Sequence, residues 1–171
     1  FRTSNDNNAL FSGQPAISPE GTLTYTPADD ANGSATVSVR LGDDGGTADG
    51  GVDSSAIQTF MITVTPVNDA PVFAKGSDQS TLQNSSSRTI ENWATSISRG
   101  PADESGQNVG FRVSNDNDAL FSAQPAISPD GTLAYTPAAG AVGTATVLVR
   151  LGDDGGTANG GTDSSAEASF T

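Results

Sequence analysis

Apolar and polar side chains alternate with a period of two along most of this chain, the pattern of strands that bury one face. In residues 143–151, Val147, Val149 and Leu151 share one face while Thr146 and Arg150 share the other. Residues 33–41 repeat this with Val37, Val39 and Leu41 against Thr36 and Arg40, so these valines and leucines are expected in the core. Punctuation by Gly, Pro, Asn and Asp then predicts strands at 72–75 with a continuation at 80–83, at 88–98, 108–114, 121–127, 132–136 and 143–151, and a last one beginning near Ala166. Seven short strands with a turn about every ten residues predict an immunoglobulin-like antiparallel β-sandwich.

The pattern occurs twice. Residues 1–61 and 111–171 align without a gap at an offset of 110, and 45 of these 61 positions are identical. A period of about 110 residues is too long for a solenoid unit and suits one small independently folding domain. The reading is all-β, tandem immunoglobulin-like domains: 1–67 is the C-terminal part of one repeat, and 68–171 is a second repeat lacking the end of its last strand. The first copy continues past Phe60 as Met61-Ile62-Thr63-Val64-Thr65-Pro66, whereas the second stops at Phe170-Thr171. Both ends are expected to fall inside a domain, the chain being a window onto a longer array.

Three aromatic positions test this frame. Trp93, the lone tryptophan, shares a face of 88–98 with Thr95 and Ile97, while Ile90 falls on the other parity unless a bulge lies near Asn92. Trp93 is expected in the core, with an exposed sugar-stacking platform as the competing role. Tyr25 and Tyr135 alternate with Leu23 and Leu133, which also places them inside, with hydroxyls near the rim.

Composition narrows the chemistry. Seven basic and 20 acidic residues give a net charge of −13, a surface unsuited to nucleic acid. No stretch approaches the roughly 18 apolar residues of a membrane span, so no membrane insertion is expected in this segment. The absence of cysteine and histidine removes disulfides, the usual zinc sites, and any mechanism that uses thiolate or imidazole. Only 34% of residues are hydrophobic, so a thin core needs another staple, and the single lysine, Lys75, gives an isopeptide bond little scope. Bound metal is the remaining candidate.

The acidic residues fall in loops. In a seven-strand sandwich the end where the chain enters receives Asn68-Asp69 of the linker, Asp103-Glu104 of the loop before strand 108–114, and Asp153, Asp154 and Asp163 of the long loop after strand 143–151. In the first copy that long loop carries Asp43, Asp44 and Asp53. The turns at Asp6 and Asp116 sit at the opposite end, where Asn-Asp-Asn is an ordinary connection. Carboxylates within ~5 Å of each other repel by about 3 kcal/mol per pair at an effective dielectric near 20. Seven basic residues are too few to neutralise them, whereas a calcium ion takes six to eight oxygens from carboxylates, amide carbonyls and backbone. Asp-Asp-Gly-Gly offers two side chains and then residues that let the backbone turn inward. The competing role for every one of these residues is a solvated turn. An EF-hand is excluded, because its 12-residue spacing is missing.

The run Thr63-Val64-Thr65-Pro66-Val67-Asn68-Asp69-Ala70-Pro71-Val72-Phe73 resembles the junction of bacterial cadherin-like tandem repeats, and residues 21–28, Gly-Thr-Leu-Thr-Tyr-Thr-Pro-Ala, resemble one of their strand signatures. Such repeats occur in large bacterial surface adhesins. The resemblance implies calcium held by Asn68 and Asp69 of the linker, with Asp103 and Glu104 in the position of an acidic loop motif. The linker lacks the longer acidic run of animal cadherins, so fewer ions per junction are implied, and the long loop 153–163 is not an animal-cadherin feature.

The function expected is a structural, calcium-stabilised module of a long secreted, cell-surface protein, either an adhesin stalk or a filament. Its partners would be neighbouring repeats of the same chain, with identical chains in a filament or strand-donation assembly as a further option. The alternative is a carbohydrate-binding module of a secreted polysaccharide-degrading or matrix protein, with surface glycans as a possible partner, for which an exposed aromatic would be the discriminator. An enzyme such as a carboxylate-pair glycosidase is not expected, since such a site needs a single copy and a deep cleft, and this acidic loop is repeated.

Overall fold

The computed structural model describes residues 1–171. The chain is all-β: thirteen strands and five three-residue 3-10 turns, with every strand pair antiparallel. No helix is long and apolar enough to cross a membrane. Two compact units divide it, residues 1–66 and 67–171, one residue from the boundary read from the sequence.

The first unit holds β1 (Arg2–Asn5), β2 (Phe11–Ile17), β3 (Leu23–Pro27), β4 (Gly33–Arg40) and β5 (Gln58–Val64). β4 is central between β1 and β5, and β2 pairs with β3 as a hairpin. Ala35 and Val37 of β4, Leu10, Phe11 and Ile62 form its core.

The second unit holds β6 (Val72–Ala74), β7 (Arg88–Ile90), β8 (Thr95–Ser98), β9 (Val109–Asn115), β10 (Phe121–Ile127), β11 (Leu133–Pro137), β12 (Val147–Asp153) and β13 (Ala168–Phe170). Its sheets run β10-β11-β7, β13-β12-β9 and β6-β8. Ile127, Leu133 and Tyr135 from the first meet Val147, Val149 and Phe170 from the second, with Trp93 among them, as in a β-sandwich. Trp93 is 3% exposed. Its ring lies 4.5 Å from that of Phe170, and its Nε1 donates to the Ser77 carbonyl at 2.9 Å. The core role holds, and Trp93 is no sugar platform.

Four expectations need correction. The strand expected at 88–98 is two: Asn92 at φ +54 breaks the ladder, so β7 pairs with β11 while β8 pairs with β6. The irregularity anticipated near Asn92 is thus a change of sheet, and it turns Trp93 inward. No regular strand forms at 80–83; this segment joins the fold by single bonds such as Gln83 Nε2 to the Gly140 carbonyl at 2.8 Å. The strand expected at 143–151 starts only at Val147, although its counterpart β4 starts at Gly33. In the first unit the extra rungs pair with Met61–Val64, and residues 143–146 have no such partner. Finally, identical letters differ in burial. Leu133, Tyr135 and Leu151 are buried, whereas Leu23, Tyr25 and Leu41 are 38%, 44% and 51% exposed. The alternation is the same in both copies; among residues 1–171, β6 to β8 belong to the second.

Candidate metal site

Asn68 ties the loops at one end of the second unit together. Its Nδ2 donates to Asp153 Oδ1 at 3.0 Å and to the Thr162 carbonyl at 2.8 Å. Its Oδ1 accepts from Gln107 Nε2 at 2.6 Å, and its carbonyl accepts from Thr162 N–H at 2.9 Å. The linker residue therefore touches both the 99–108 loop and the long 153–163 loop, the grouping expected from sandwich topology.

Asp69 contributes its backbone. Its N–H donates to Glu104 Oε1 at 2.7 Å, while its side chain is exposed. Glu104 ends a 3-10 turn, Ala102–Glu104, and is 6% exposed, the one buried acidic residue of the chain. Space for it comes from Gly100 at φ +136, where any Cβ would overlap Glu104 Oε2. A second close approach occurs at Gly155, where a Cβ would overlap Asn68 Oδ1.

Three buried side-chain atoms in the chain have no hydrogen-bond partner: Glu104 Oε2, Gln107 Oε1 and Asp153 Oδ2. All are oxygens, and each belongs to a residue whose other polar atom bonds Asn68 or Asp69. Burying an oxygen without a donor costs about 1–3 kcal/mol, and more when it is charged. No ion pair offsets this, since the ion pair of the chain, Arg150 with Glu167 at 3.2 Å, lies on the surface. Two carboxylates and an amide carbonyl are oxygen donors, the kind that a hard cation such as calcium takes and a soft one does not.

The remaining acidic residues do other things. Asp154 clamps Asn108, its Oδ1 accepting from the backbone N–H and its Oδ2 from Nδ2, both at 2.8 Å. Those bonds to Asn108 hold its carboxyl below the ordinary aspartate value. Asp163 accepts from Asp153 N–H through its backbone carbonyl at 3.1 Å. Asp103 is exposed on the 3-10 turn. No three carboxylates gather at one point; of the acidic residues expected to converge, Glu104 bonds the Asp69 amide and Asp153 bonds Asn68.

In the first unit the same loop folds alone. Asp43 Oδ1 accepts from Gly45 N–H at 2.9 Å, as Asp153 Oδ1 accepts from Gly155, and Asp43 N–H donates to the Asp53 carbonyl at 2.9 Å. Asp49 at φ +52 matches Asn159 at φ +57. The loop shape is thus written in its own sequence, and Asp43 and Asp44 are exposed. At the other end, Asp6 Oδ1 accepts from Thr36 N–H at 2.8 Å and Asp116 Oδ1 from Thr146 N–H at 2.7 Å, the turn role.

Gln107, Asn108 and Thr162 are the participants that a search for carboxylates misses. Their signal is position: two adjacent amides directly before β9, at the mouth already assigned to the acidic loops. No protein-family model matches the chain, and neither does any curated protein or solved structure.

Proposed function

We propose that this chain is a structural, calcium-stabilised module of a long extracellular bacterial protein, built of tandem immunoglobulin-like, cadherin-like repeats and serving as an adhesin stalk or surface filament. One observation carries the calcium part: Glu104 is buried with Oε2 unpartnered, in a site whose other orphaned atoms are also oxygens. A cation held by Glu104, Asp153 and Gln107 would neutralise buried charge. Because Asn68 and Asp69 are bonded to the same residues, it would also fix the direction in which the chain enters the unit. The duplication, 45 identical positions of 61 between residues 1–61 and 111–171, favours a repeated mechanical role over a single-copy catalytic one. The glycan-binding alternative loses its candidate platform with the burial of Trp93.

The test is a calorimetric titration of calcium into the metal-stripped chain. Binding with a dissociation constant of roughly 10⁻⁴–10⁻³ M, as in extracellular modules, is expected. Heats no larger than those of dilution would refute the reading.

A further inference from the structure

The amides at the loop end of the second unit are oriented one after the other by a backbone carbonyl. The Thr162 carbonyl can only accept a hydrogen bond, so the Asn68 side-chain atom 2.8 Å from it is the NH2 group, whose other hydrogen goes to Asp153 Oδ1 at 3.0 Å. That turns Asn68 Oδ1 toward Gln107. An amide oxygen also only accepts, so the Gln107 atom 2.6 Å away is Nε2, and Oε1 is left buried without a donor. Turning either amide over would set oxygen against oxygen. Thr162 N–H also donates to the Asn68 main-chain carbonyl at 2.9 Å, so Asn68 is clipped to Thr162 through backbone and side chain alike.

The same residue decides which oxygen of Asp153 stays open. Oδ1 accepts from Asn68 Nδ2 and from Gly155 N–H at 2.9 Å, while Oδ2 is buried without a partner. Asn68 has thereby spent its own polar side-chain atoms: both hydrogens of Nδ2 donate and Oδ1 accepts. Gly155 makes room for the arrangement, since a Cβ there would overlap both Asn68 Oδ1 and Gln107 Nε2. Glu104, 6% exposed with Oε2 unpartnered, is an independent sign that this end of the unit takes a cation.

We propose that Asn68 is a positioning residue of the calcium site and not one of its ligands, in contrast to the ligand role that the resemblance of the linker implies. It holds Gln107 and Asp153 so that each presents an unpaired oxygen, and the buried atoms without partners, Glu104 Oε2 among them, are then all acceptors. Such a set suits a cation and rejects an anion. The proposal rests on the calcium reading above, and adds that the Thr162 carbonyl fixes the direction of the Gln107 oxygen in advance, through two amides.

The test is side-chain NMR of the whole unmodified chain, first in chelator and then in millimolar calcium. The NH2 protons of Asn68 and Gln107 should exchange slowly in both conditions, and calcium should shift the side-chain carbonyl carbons of Glu104, Gln107 and Asp153. Rapid exchange of these protons in chelator would overturn the proposal. If calcium instead strips the Gln107 protons of their protection, the ion has taken their place on Asn68 Oδ1, and the positioning role is refuted while the calcium reading stands. Resonances that do not respond to calcium at all refute the calcium reading, and the positioning role falls with it. A variant gives a second readout: Gly155→Ala removes no oxygen but drives a methyl between the two amides, so it should weaken calcium binding at least about tenfold. Unchanged affinity in that variant would overturn the proposal.

Discussion

Glu104→Gln should reverse the stability order of parent and variant between chelator and calcium. Glu104 is 6% exposed, one oxygen accepts from Asp69 N–H at 2.7 Å, and the other has no partner. Glutamine keeps an acceptor for Asp69 and removes a buried charge, so in chelator the variant should be as stable as the parent or more so. At about 5 mM calcium and a dissociation constant of roughly 10⁻⁴–10⁻³ M, the parent gains about 1–2 kcal/mol. For a domain of this size that is a rise in melting temperature of about 4–16 °C. A tenfold weaker variant gains about 1 kcal/mol or less at the same concentration, so the order inverts. Thermal unfolding followed by Trp93 fluorescence reads the right unit, because Trp93 is the only tryptophan. If Glu104→Gln lowers the midpoint equally in both conditions, Glu104 serves only to hold the Asp69 amide.

Two further outcomes follow from the same geometry. Leu151→Ala should destabilise the second unit by about 2–5 kcal/mol, whereas Leu41→Ala at the equivalent position should change the stability of the first by about 0.5 kcal/mol or less, because Leu151 is fully buried and Leu41 is 51% exposed; denaturant unfolding by fluorescence and circular dichroism checks both, and equal costs would contradict the burial difference. Asp154 has its carboxyl held below the ordinary value by Asn108, so its contribution is present above the unfolded aspartate pKa of about 3.9 and lost as pH falls through the folded value. Asp154→Asn should therefore flatten the loss of stability below about pH 3.9, and superimposable parent and variant profiles would show that the clamp on Asn108 does not matter.

The strands were legible where alternation is pure: β9, β10 and β11 lie within a residue or so of the ranges read from the sequence. What alternation cannot convey is what covers a face. Leu41 and Leu151 sit in the same local text, Val-Arg-Leu-Gly-Asp-Asp, yet only Leu151 is enclosed. Nor does it show where a ladder loses its partner, which is why β12 begins four residues later than expected, and why one left-handed residue, Asn92, split a strand between two sheets. At the candidate site, charge pointed to the loops 99–108 and 153–163 but not to the buried atoms that lack a partner. The buried orphaned oxygens include an amide, that of Gln107, and the residue joining the loops is another amide, Asn68. Asp154, one of the carboxylates expected at the site, spends both oxygens on Asn108.

Whether calcium holds the loop end of the second unit together is read from the melting midpoint of the unmodified chain, followed by Trp93 fluorescence. With about 5 mM calcium in place of chelator the midpoint should rise by about 4–16 °C, and magnesium at the same concentration should raise it less, since it demands tighter octahedral geometry. A midpoint that is the same in chelator and in calcium would contradict the account.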